Sequence, residues 1–180
     1  MPDARTHSPG NTLVRGDGTI AIEPVVQAVE YAYRIISKLL PPPQREDGYL
    51  CIARRVDGKP IVTLHIGPMY AGRDGKNYAL AAAEARVLAE HPECFLSSRA
   101  HPHPQEPLGR PHRAGAVAYD QCIFSVGGPW DEIGNETFAI GIAHLLFQEG
   151  MSHEVCVEEF GTNGEHDLLN VFEALDHEWD

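Results

Sequence analysis

The sequence predicts an α+β domain, a mostly antiparallel sheet flanked by helices in an α-β-α arrangement. Three observations carry that expectation. Two stretches, 49–67 and 115–128, are rich in β-forming residues and fold back around a turn. Helical periodicity lies before, between and after them. Single parallel strands alternating with helices are missing, as is a Gly-rich phosphate loop, which argues against a doubly wound nucleotide fold and a nucleotide cofactor.

Residues 1–20 are polar and contain Gly and Pro, and read as a mobile N-terminal arm, with the Arg-Gly-Asp tripeptide of 15–17 beside Gly18 as a turn. Ile22, Val25, Val26, Val29, Tyr33, Ile36 and Leu40 fall at helical spacing, Pro24 suits a first turn, and PPPQREDG stops the helix. YLCIARRV (49–56), the turn Asp57-Gly58 and PIVTLHIG (60–67) make the clearest hairpin. Alternation puts Val62, Leu64 and Ile66 on one face, and Ile61, Thr63 and His65 on the other. KNYALAAAEARVLAEH (76–91) is a helix whose small face, Ala81, Ala82, Ala85 and Ala89, suits close approach to a sheet. A second hairpin spans 115–128 and turns near Asp120. A helix follows from Asp131, a plausible N-cap, to Gln148, with Gly150 as its stop. EVCVEEF (154–160) suits an added strand, and 166–178 a short helix with Leu168, Leu169, Phe172 and Leu175 inward. The order is α-ββ-α-ββ-α, with 21–150 as the domain and 151–180 as an acidic extension packed on it.

At 180 residues the chain suits one domain with a real core. A net charge of −12 argues against binding a phosphate backbone, so no nucleic-acid partner is expected. No apolar run reaches membrane-spanning length, and the N-terminal segment lacks the apolar core of a secretory signal, so a cytoplasmic protein with no membrane partner is expected. Cys51, Cys94, Cys122 and Cys156 are widely spaced and read as buried free thiols.

Three stretches together resemble the GlcG/HbpS-like family, whose best-known members bind or degrade haem. They are the hairpin ARRVDGKPIVTLHIG, the Ala-rich helix after a polar loop in GRDGKNYALAAAEARVLAEH, and HRAGAVAYDQCIFSVGG followed by the acidic helix opening PWDEIGNETFAIGIA. The likeness covers about residues 24–150. It departs from the family where a Lys-Ala pair is replaced by Glu84-Ala85 and where a Val-Ser-Gly ending is Ser125-Val126-Gly127-Gly128. The resemblance implies a profilin-like fold, homo-oligomers, and haem or another iron-containing or organic-acid ligand.

The densest chemistry lies in SSRAHPHPQEPLGRPHRAG (97–115). His101 and His103, two apart in an extended segment, point to the same side, and His112 could complete a three-histidine face for a divalent metal. One of these imidazoles could instead ligate haem iron. Arg99, Arg110 and Arg113 could clamp carboxylates such as propionates or an organic acid. The plain alternative is a stiff, solvated, proline-rich loop. His65 reads as a partly exposed strand histidine and His144 as a packed one. Ser97-Ser98 carries no sequence sign of activation. Three functions are therefore open: a small-ligand-binding protein using this loop, a non-catalytic homo-oligomeric accessory module, and a metal-dependent hydrolase using the three histidines.

Overall fold

The computed structural model describes residues 14–42, 48–67, 76–100, 114–147 and 167–178. Its architecture is α+β, as the sequence predicts. The elements are α1 (Ile22–Leu39), β1 (Gly48–Arg54), β2 (Pro60–Ile66), α2 (Lys76–Glu90), α3 (Ser97–Ala100), β3 (Ala114–Tyr119), β4 (Cys122–Gly127), α4 (Glu132–Leu146) and α5 (Leu168–Glu178).

The four strands form one antiparallel sheet in the order β2-β1-β4-β3. Each hairpin closes at the same end of that sheet. The first needs Gly58 twice over. Its φ of +66° is left-handed, and a Cβ there would come within 2.8 Å of the Arg86 Cα on α2. Asp57 holds the turn by accepting from the Lys59 N–H and from the Arg54 guanidinium. The second hairpin turns at Asp120, with φ +52°, a residue type that tolerates this region.

The sheet has two faces of different character. Cys51, Ala53, Ala116, Ala118 and Ile123 meet the small face of α2, where Ala81 and Ala85 are fully buried. Leu50, Ile52, Val117, Phe124 and Val126 point the other way, into the larger core with α4 and α1. Helix α1 buries Val25, Val29 and Ile36 as its periodicity requires. It ends at Leu40, which is extended because Pro41 follows. Asp131 caps α4, its carboxylate accepting from the Gly134 N–H at 2.8 Å.

The differences from expectation have simple causes. Residues Val14 and Ile20, within the expected arm, pair across the Arg15–Gly18 turn, and Ile20 joins the core. In α5 the buried stripe is Leu168, Val171, Phe172 and Leu175, while Leu169 is 57% exposed, because it lies off the 3.6-residue period of the others. The expected strand 154–160 and the Gly150 stop lie outside the described residues. Among the described residues no helix is long and apolar enough to cross a membrane.

Candidate functional site

At the end of the sheet opposite the hairpin turns, β1 and β3 begin and β2 and β4 end. The terminal row, read across the strands, is His65, Tyr49, Gly127 and Ala114. Helix α2 starts over this row, since a Cβ on Gly127 would collide with the Asn77 carbonyl oxygen. Helix α4 also starts from this end, four residues beyond β4. Connections between elements gather here, which is where antiparallel scaffolds commonly place function.

The most built feature nearby is a buried carboxylate. Glu136 sits in the second turn of α4 and is fully buried. Gly115 of β3 lies so close to α4 that a Cβ would come within 2.5 Å of the Glu132 carbonyl oxygen and collide with the Glu136 nitrogen. That contact leaves the Glu136 side chain beside α3. It accepts from the Ser97 hydroxyl at 3.1 Å, the Ser98 N–H at 3.0 Å and the Ser98 hydroxyl at 2.9 Å. Ser97 Oγ in turn accepts from the Ala116 N–H at 2.8 Å, and Phe95 O accepts from the Ala118 N–H at 2.8 Å. Residues 95–97 thereby take up part of the outer edge of β3. Ser97 is fully buried and committed as both donor and acceptor, so it locks the fold and has no exposed face for nucleophilic chemistry.

On the other side of α2 the row carries aromatic rings. Tyr49 meets His65 edge-to-face at 5.1 Å and Tyr78 at 6.1 Å. His65 and Tyr49 are half-buried and Tyr78 is exposed. Asn77, one residue before Tyr78, is buried, and its Oδ1 accepts no hydrogen bond. Beneath α2, the fully buried Ser125 Oγ also has no partner.

Of the residues singled out from sequence, Arg99 is exposed on α3, directly after the serines that Glu136 holds. His101, His103, His112, Arg110 and Arg113 lie outside the described residues. Among the described residues no three His, Cys, Asp or Glu side chains converge on a point where a metal could sit. His144 is buried, with Nε2 2.8 Å from Asp176 Oδ1 and its ring stacked on Phe172 at 4.2 Å. It ties α5 to α4 and lies away from the terminal row. Burial pushes the Cys51 and Cys122 thiols up to about 11, which keeps them protonated and inert at neutral pH.

Sequence reasoning did not single out Glu136, Asn77 or Tyr49, and considered Ser98 only as a nucleophile. One signal was present, an acidic residue followed by the apolar run TFAIGIAHLL. A charge that a helix buries needs a partner from elsewhere in the chain.

Searches of family profiles, curated proteins and solved structures found no match to the chain.

Proposed function

We propose that the chain is a small-ligand-binding protein of the GlcG/HbpS-like type, cytoplasmic and homo-oligomeric, whose site is formed by Arg99 of α3 and the segment that follows α3. In this reading His101, His103 and His112 offer imidazole nitrogen, and Arg99, Arg110 and Arg113 offer guanidinium to carboxylates. The observation that carries it is the Glu136 anchor. A fully buried carboxylate accepts three hydrogen bonds from the two residues immediately preceding Arg99. Fixing the root of a ligand-bearing segment lowers the conformational entropy lost on binding. It is a costly arrangement for a loop with nothing to hold, because burying a carboxylate requires full hydrogen bonding.

The donor set suits haem among the ligands the resemblance implies. Imidazole is an iron ligand, and guanidinium pairs with propionate in the bidentate fork that lysine lacks. Bound haem would supply redox and oxygen chemistry of its own. The chain's part is to bind and orient, with locally basic character in an otherwise acidic protein favouring the propionate end. The same arginines suit a smaller organic acid.

The test is a hemin titration of the purified protein followed at the Soret band, beside elemental analysis for bound metal. The expected result is a saturable Soret shift that disappears when His101, His103 and His112 are together replaced by alanine. Replacing Arg99 alone should weaken binding without moving the band. Stoichiometric zinc without a Soret shift would replace this reading with metal-assisted hydrolysis. Binding of neither haem nor metal would sink it in favour of the accessory module.

A further inference from the structure

We draw no further inference here: the strongest candidate, the outer edge of β2, which ends the sheet and carries no Asp, Glu, Lys or Arg between Pro60 and Ile66, supports no docking proposal because nothing among the described residues shows what covers it.

Discussion

Replacing Glu136 by alanine removes the acceptor for three donors at once: the Ser97 hydroxyl, the Ser98 N–H and the Ser98 hydroxyl. The half-buried Ser98 hydroxyl can turn to water. The other two cannot do so freely, because Ser97 is fully buried and the Ser98 N–H faces the vacated space. Each donor left buried costs about 1–3 kcal/mol, and the truncated side chain adds a cavity, for a total on the order of 3–5 kcal/mol. That is a large share of the roughly 5–15 kcal/mol by which a domain of this kind is stable. Glu136→Gln keeps one acceptor oxygen but turns an NH2 toward a donor, and should cost about 1–2 kcal/mol.

Urea unfolding followed by tryptophan fluorescence measures both. With a slope of about 2 kcal/mol per molar, the alanine variant should lose about 2 M in midpoint and the glutamine variant less than half of that. A Ser97→Ala, Glu136→Ala cycle should show coupling of at least about 1 kcal/mol, because the two side chains share one network. Two results would refute the reasoning: an alanine variant less than about 1 kcal/mol below the parent, or a cycle with no coupling. Either would mean that Glu136 does not hold α3, and the anchored-root argument for ligand binding would go with it.

Gly115→Ala drives a Cβ into the backbone of α4 and should cost about 3 kcal/mol or more, whereas Gly16→Ala, with open space around it, should be neutral within about 0.5 kcal/mol; thermal melts compare the pair. Cys51 and Cys122 should resist iodoacetamide at pH 8 in the folded protein and react on unfolding. Their folded thiols ionise near 11 against 9.0 for the free group. The unfolded chain therefore loses these protons first, and the stability they contribute, complete below pH 9, falls as pH rises toward 11. A double alanine variant should flatten that part of the urea-midpoint profile. Asp176→Ala removes the partner of His144 Nε2 and should cost about 1–2 kcal/mol, with hydrogen exchange in α5 speeding up more than in the sheet.

Local signals were enough to read most of the architecture. Val25, Val29 and Ile36 sit on one helical stripe and are buried; Asp57-Gly58 makes the first turn; Asp131 caps α4; Ala81 and Ala85 of α2 pack onto the sheet as their size suggests. Each of these is decided within a few residues. Glu136 is decided by Ser97 and Ser98, which stand 39 and 38 positions earlier in the chain. No periodicity or spacing rule spans such a distance. The α3 turn escaped for the same reason, since its Ser-Ser-Arg-Ala stretch reads as loop until a carboxylate from another helix accepts the Ser98 N–H and both serine hydroxyls. Asn77 is a subtler case. Its residue type is visible in an Ala-rich helix, but that its Oδ1 is buried and meets no donor among the described residues shows only in the packed structure.

The two ends of the sheet then divide the work of the fold. At the hairpin end the polar groups are matched. Arg54 meets Asp57, and the Arg55 N–H bonds Gln121 O at 2.9 Å. The Arg55 guanidinium bonds Asp120 O at 3.2 Å and lies over the Phe95 ring at 5.2 Å, joining the two turns and the stretch before α3. At the opposite end the matching fails. There the Asn77 carbonyl oxygen meets no donor among the described residues and a tyrosine ring is exposed, while the buried Glu136 carboxylate is matched by two serines. Sequences satisfy local rules where only stability is at stake, and depart from them where something else must be accommodated. The departures gather where β1 and β3 begin, next to α3 and the start of α2.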